Sequence, residues 1–332
     1  MRRVWLFLIL WIVSGGVFAQ GNLPPLDPVS TLQAGDFRAL ATTVDGDRLL
    51  VADAQNTQVR VYDFRNPAKP SLLTSLDVSG TPVLLVGGQN FGLVAETTDA
   101  ETDTVEVIAP ALPGGNIPYA PGANYISIDK NPRALALSPD NQWGIAVSEH
   151  GYTLMHIHSP ADIESYEVGQ PLIDAALSKT TAYILSDQNL SAAALNDLSA
   201  LTADKTLALG GTPSLVALDT AAAQGVVVVD DTSLVFFDPT TLQKTGSFRV
   251  SGKPITSVHF LSKDADSQNA AAEYLILAQQ DANSLVVLDV SDPTRVTALA
   301  TPPKLTQPIR ALTVFDPYMV VTDGVTISIF SA

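Results

Sequence analysis

Three observations predict that this chain is all-β and folds as a seven-bladed β-propeller of four-stranded antiparallel blades. A Gly-x-Pro mark followed by an apolar run recurs along it, the segments between marks read as short strands, and no segment of useful length shows a helical period. The mark stands at Gly80-Thr-Pro82, Gly169-Gln-Pro171, Gly211-Thr-Pro213 and Gly252-Lys-Pro254. Degenerate copies occur at Gly35-Asp-Phe37, Lys130-Asn-Pro132 and Thr306-Gln-Pro308. The third positions fall at 37, 82, 132, 171, 213, 254 and 308, so six steps span 271 residues. The mean step of about 45 matches the period of four-stranded blades. Glycine suits the turn because it tolerates a positive φ, and proline suits the first residue of a strand because no ladder donor is needed there.

In the first repeat, residues 38–43 form strand a. Val44-Asp-Gly-Asp47 is a hairpin turn of the Asp-Gly kind, and residues 48–52, 58–64 and 71–78 form strands b, c and d. Later b strands are continuously apolar, as in Gly225-Val-Val-Val-Val229, Tyr274-Leu-Ile-Leu277 and Tyr318-Met-Val-Val321. Such runs, rather than alternation, imply burial on both faces, as expected for the middle strands of stacked blades. The last repeat has strands at 309–315, 318–322 and 326–330 but no strand d. Residues 28–33 precede the first strand a without a blade of their own. Setting this N-terminal strand on the edge of the last blade completes it and closes the ring without a free edge.

Ahead of the repeats lies a pattern that reads as a secretory signal over residues 1–19: Arg2-Arg3, an apolar stretch at 4–13, and Val17-Phe18-Ala19 before Gln20. Its apolar run is short for a membrane span, which needs about 20 residues. No later segment is long and apolar enough to cross, so residues 20–332 read as one domain with no integral membrane segment after cleavage. The expected location is secreted or periplasmic. The chain of 332 residues has a formal charge of −16 and no cysteine; without Arg2 and Arg3 it carries 16 basic against 34 acidic residues, a charge of −18. That balance excludes nucleic acid and anionic membranes as expected partners. Without disulfides, stability must rest on the core.

Strand c carries a second recurring mark: Val59-Arg-Val-Tyr-Asp63-Phe-Arg-Asn-Pro67 aligns without a gap to Leu285-Val-Val-Leu-Asp289-Val-Ser-Asp-Pro293. This mark resembles the LVIVD repeat. The strand, turn and strand of Asn131-Pro-Arg-Ala-Leu-Ala-Leu-Ser-Pro-Asp-Asn-Gln-Trp-Gly-Ile-Ala-Val-Ser-Glu149 resemble the YVTN repeat of exported bacterial propellers. The resemblance implies the propeller and frequent export, not one reaction. There is no Trp-Asp strand ending and no paired-glycine kelch mark, and Trp143 is the only tryptophan beyond the leader.

Two repeats carry insertions, at 109–125 between strands c and d of the second and at 262–272 between strands a and b of the sixth. Both connections emerge on one face of a four-stranded blade, and insertions gathered on one face often mark the binding face. Near the end of every strand b stands a carboxylate: Asp53, Glu96, Glu149, Asp187, Asp230, Asp281 and Asp323. These belong to the opposite face, where Asp and Glu also serve simply to end strands and begin turns. The second repeat thickens into Glu96-Thr-Thr-Asp99-Ala-Glu101-Thr-Asp103. Alternating acids on a short loop can supply several of the 6–8 oxygens that calcium requires, so Glu96, Asp99, Glu101 and Asp103 are candidate ligands and Ca²⁺ the candidate cofactor. His156 and His158, two apart on a strand and so on one face, are the alternative metal pair. They lack a visible third ligand, and His156 falls at the strand-end position of Asp63 and Asp289. His150 and His259 show no partner.

No Gly-x-Ser-x-Gly elbow, thiol nucleophile or phosphate-cradling loop is present. The a strands carry Arg38, Arg133 and Arg310, which suit an anionic ligand but supply no base. The sequence therefore points to a non-catalytic binding or interaction scaffold for an unidentified protein, small-molecule or carbohydrate partner, with no catalytic residue assigned. The alternative is a lactonase-like hydrolase, a class that includes some similar seven-bladed propellers. A site of that kind would bring His259 and an Asp or Glu together at the central channel.

Overall fold

The protein is described by a computed structural model. It describes residues 28–33, 35–43, 46–89, 91–108, 125–157, 163–195, 205–219, 221, 223–261, 273–299, 305, 307–315 and 318–331. Residues 1–27 and both insertions lie outside these, apart from Tyr125.

Strand β1 is Ser30–Gln33. Blade 1 holds β2 (Phe37–Thr42), β3 (Arg48–Asp53), β4 (Gln58–Asp63) and β5 (Ser71–Asp77). Blade 2 holds β6 (Thr81–Gly87), β7 (Gly92–Thr97), β8 (Asp103–Ile108) and β9 (Tyr125–Ile128). Blade 3 has β10 (Ala134–Leu137), β11 (Trp143–Val147), β12 (Gly151–His156) and β13 (Ile163–Glu167). Blade 4 has β14 (Leu172–Leu177), β15 (Thr181–Ser186), β16 (Asn189–Ala194) and β17 (Thr206–Ala208). Blade 5 comprises β18 (Pro213–Leu218), β19 (Gly225–Val229), β20 (Ser233–Asp238) and β21 (Gln243–Arg249). Blade 6 comprises β22 (Ile255–Leu261), β23 (Tyr274–Gln279), β24 (Leu285–Asp289) and β25 (Thr297–Ala298). Blade 7 takes β26 (Ala311–Phe315), β27 (Tyr318–Thr322) and β28 (Thr326–Ser331).

Six sheets run in chain order, and the seventh runs β1-β28-β27-β26. The N-terminal strand therefore completes the last blade, as the truncated seventh repeat predicts, and the result is a seven-bladed propeller. The first strands of the blades touch one another in sequence, from β2 through β6, β10, β14, β18, β22 and β26 and back to β2. They form the inner wall of the ring.

Burial follows position in the blade. Second strands are buried on both faces, as at Gly225–Val229, whereas fourth strands such as Ser71–Asp77 and Gln243–Arg249 are largely exposed. Side chains of a strand alternate between two neighbouring blades, so each blade feeds two apolar seams. Leu93, Val105 and Val107 meet Ala146, Met155 and Ile157 between blades 2 and 3, while Val94 and Ile108 meet Leu50, Val59 and Val61 between blades 1 and 2. The ring closes where Phe37, Leu49, Val51 and Phe64 pack on Val320, Ile327 and Ile329. Each such fully buried side chain contributes about 1.5–3 kcal/mol relative to exposure.

The inner strands of blades 1, 2, 4, 5 and 6 start with a bulge. The register to the second strand shifts by one residue between Phe37 and Ala39, Pro82 and Leu84, Leu172 and Asp174, Pro213 and Leu215, and Ile255 and Ser257. The glycine of the repeat mark has a different cause from the one its turn position suggests. Of Gly80, Gly169, Gly211 and Gly252, Gly252 alone has a positive φ, at 110°. A Cβ on Gly80 would lie 2.6 Å from the Thr97 carbonyl oxygen, and one on Gly211 would lie 2.6 Å from the Asp230 carboxylate. There the glycine admits the end of the second strand against the connection entering the blade.

Candidate functional site

Two inner-wall side chains that titrate are tied across blade boundaries. Asp174 follows the bulge of β14. Its Oδ1 accepts the Ala175 N–H at 2.8 Å, and its Oδ2 accepts the Val216 N–H on β18 of the next blade, also at 2.8 Å. Burial pushes this carboxyl up to about 7, against the opposing pull of those two donors. His259, on β22, has Nε2 2.9 Å from Ser257 Oγ and bonds the Leu312 backbone on β26 of blade 7. Burial lowers its imidazole to about 4, so it is neutral at pH 7. Both act as latches between inner strands, because the first strand of a sheet leaves half its backbone groups unpaired by its own blade.

The signs of these shifts oppose one another. Asp174, raised above its ordinary 3.8, adds stability that is full below pH 3.8 and lost as pH rises through about 7. His259, lowered from 6.5, adds stability that is full above pH 6.5 and lost as pH falls through about 4. We expect Asp174→Asn to flatten the loss toward pH 8 and His259→Gln to flatten the loss toward pH 4. Each should change the pH-dependent part of the unfolding free energy by about 1–3 kcal/mol. Urea unfolding at pH 4 to 8 reads this, and profiles parallel to the parent would contradict the assignment.

The arginines expected at the mouth are ion-paired. Arg38 and Arg310 both bind Asp36, at 2.8 and 2.7 Å, and join blades 1 and 7. Arg133 lies 3.3 Å from Glu149 and donates to the Leu172 carbonyl at 3.1 Å, bridging blades 3 and 4.

The acids that end the second strands hold the connections entering the blades. Asp53 accepts the Asp36 N–H and Asn56 Nδ2, and pairs with Arg60. Glu96 Oε2 accepts the Gly80 N–H and Ser79 Oγ, each at 2.7 Å. Asp230 accepts the Thr212 N–H at 2.9 Å, and Asp281 lies 3.7 Å from Lys253. Asp323 closes its own turn on the N–H groups of Val325 and Thr326, while Asp187 is exposed.

The four acids expected to bind calcium are not brought together. Asp103 shares the face of β8 with Val105 and Val107, toward blade 3. There it accepts the N–H groups of Thr98 and Asn131 and pairs with Lys130 Nζ at 3.0 Å. Glu96 shares a face with Val94, toward blade 1. Asp99 and Glu101 are exposed on the loop between them. Two fully buried carboxylates on opposite faces of one sheet cannot ligate one ion, and among the described residues no group of three or more His, Cys, Asp or Glu could hold a metal. Of the histidine pair, His158 lies outside the described residues. His156 ends β12 with its ring edge-on to Trp143, centroids 4.8 Å apart.

Sequence reasoning missed Asp174. The signal was a lone carboxylate three residues after the third mark position, where the other repeats carry Leu40, Leu85, Leu135, Val216, Ser257 and Ala311. No protein-family model matches the chain, and a search of curated proteins finds no match.

Proposed function

We propose that this propeller is an exported, non-catalytic interaction scaffold that presents its rigid ring to a protein or carbohydrate partner. The observation that carries this reading is the use made of the polar residues of the inner wall. Arg38 and Arg310 hold Asp36, Arg133 holds Glu149, Asp174 holds Val216 and His259 holds Leu312. A general base needs a lone pair aimed at substrate, whereas these groups are aimed at neighbouring blades. Export is supported by the leader pattern of residues 2–19, the kinship with LVIVD propellers by the strand c marks, and that with YVTN propellers by the strand, turn and strand of residues 131–149.

The competing reading is a lactonase-like hydrolase, for which Asp174 and His259 are the natural candidates. They stand two blades apart, each committed to the backbone of the blade that follows it. Assay of the chain from Gln20 onward against lactone and ester substrates separates the two readings. The scaffold predicts hydrolysis at the buffer rate. Turnover that Asp174→Asn or His259→Gln abolishes, in variants that still fold, would replace it with the hydrolase.

A further inference from the structure

The blade 1–blade 2 seam contains a pair of carboxyls whose hydrogen bonding is incomplete in one particular way. On β7 and β8, Glu96 stands opposite Thr104, so Glu96 and Glu106 share the face toward blade 1. Both are buried, with relative exposures of 0% and 7%. Glu96 Oε2 is saturated by Ser79 Oγ, the Gly80 N–H and, at 3.5 Å, Thr104 Oγ1. Glu106 is bonded by the Ser79 backbone and the Tyr125 phenol, and it contacts Glu96. Two oxygens remain, Glu96 Oε1 and Glu106 Oε2, each buried without a donor.

Two carboxylates in contact cannot satisfy one another, because an ionised carboxylate only accepts. One proton between them supplies the missing donor and removes a like-charge repulsion. A hard divalent ion fits less well, since it takes six or more oxygens and only these two are uncommitted. We propose that Glu96 and Glu106 share a single proton, making the blade 1–blade 2 seam a pH-responsive latch that is tight in mild acid and loosens when the proton leaves to solvent.

The surroundings favour this chemistry. Blade 1 presents Val59, Val61, Leu76 and Val78 to the seam, together with Ala41 and Leu50. Gln58, Arg60 and Asp77 alternate with these and so point to the other face of blade 1. From blade 2, β6 adds no titratable group, and β9 adds only Tyr125, whose phenol is held up by the charge of Glu106. Arg48 and Asp63 share the blade 1 face of Leu50 and Val61, but they stand opposite each other beyond Leu50, which packs at Gly92, the end of β7 away from Glu96. No cation acts on Glu106 to hold both carboxyls ionised. Burial, followed by the contact with Glu96, raises Glu106 to about 7. The Ser79–Gly80 connection, held by both carboxyls, leads from β5 into β6 and is where loosening would be felt.

The sign follows from that upward shift. The latch contributes fully below the ordinary glutamate value of 4.5 and is lost as pH rises through about 7. In Glu106→Gln the side-chain amide replaces the shared proton at every pH. The parent's folding constant should fall at least about tenfold relative to this variant between pH 5 and 8. With ¹³C-labelled glutamate, one side-chain carboxyl should titrate near neutrality and be lost in Glu106→Gln. Glutamate-specific labelling keeps Asp174 out of the spectrum. Parallel stability profiles for parent and variant would overturn the proposal. If the variant does not fold, the parent's spectrum decides, and glutamates that all titrate below about pH 5.5 would overturn it. A calcium-dependent rise in Tm, absent from Glu106→Gln, would also overturn it in favour of a bound cation.

Discussion

Deleting residues 28–33 should destabilise the protein by about 3–5 kcal/mol, the range of the largest single losses from a core. The four residues of β1 pair with β28 from Ser30 opposite Ile329 to Gln33 opposite Thr326, and the Val29 N–H reaches the Ile329 carbonyl at 2.8 Å. Without β1 the outer edge of β28 loses its ladder. Leu32 also leaves the seam where Val320, Ile327 and Ile329 meet blade 1. The damage falls on the ring's closure: among the described residues the other six blades are continuous in sequence, whereas blade 7 joins β1 to β26, β27 and β28. Because blades contact mainly their neighbours, an opened blade 7 weakens both its seams, to blade 6 and to blade 1. Urea unfolding of the chain with and without this segment measures the effect. Equal midpoints would mean that β1 contributes nothing to closure.

This closure was legible in the sequence because it follows from counting. A final repeat one strand short and a strand without a blade leave a single economical pairing. The inner wall was less legible. Repeats reveal columns, and a column shows what most blades need. Asp174 departs from its column in one blade, and its partner Val216 lies 42 residues away on the next, a spacing no local pattern signals. The acid-rich loop is divided for a simpler reason. Glu96, Asp99, Glu101 and Asp103 look like one cluster when the segment is read as loop, yet Asp103 already begins β8. Once a strand starts there, alternation sends Asp103 toward blade 3 and Glu106 toward blade 1. The partner of Glu96 is then Glu106, outside the apparent cluster, and that of Asp103 is Lys130, 27 residues on.

The other large effect is expected from Arg60→Ala, at about 3–5 kcal/mol, because it strands a buried charge. Asp53 ends β3 with a side chain that is 0% exposed, and Arg60, on the adjacent β4, is 19% exposed. The guanidinium pairs with that carboxylate and lies 5.5 Å from the centroid of the Phe37 ring, a cation–π contact. Asn56 Nδ2 at 2.8 Å and the Asp36 N–H at 3.4 Å also bind Asp53, but neither carries charge. Without Arg60 the carboxylate must stay ionised in a poorly solvating site or take up a proton, and either outcome disfavours the fold at pH 7. Arg65 provides the comparison. It pairs with Asp63 by similar contacts but is 62% exposed, and Arg65→Ala should destabilise far less than Arg60→Ala, because solvent screens an exposed pair. Replacing both buried partners, as Asp53→Asn with Arg60→Met, should recover much of the loss, since the charge and its counter-charge leave together. Urea unfolding of the parent, the two single arginine variants and the double variant at pH 7 tests all three expectations. Equal losses from Arg60→Ala and Arg65→Ala would show that burial does not set the weight of the Asp53 pair.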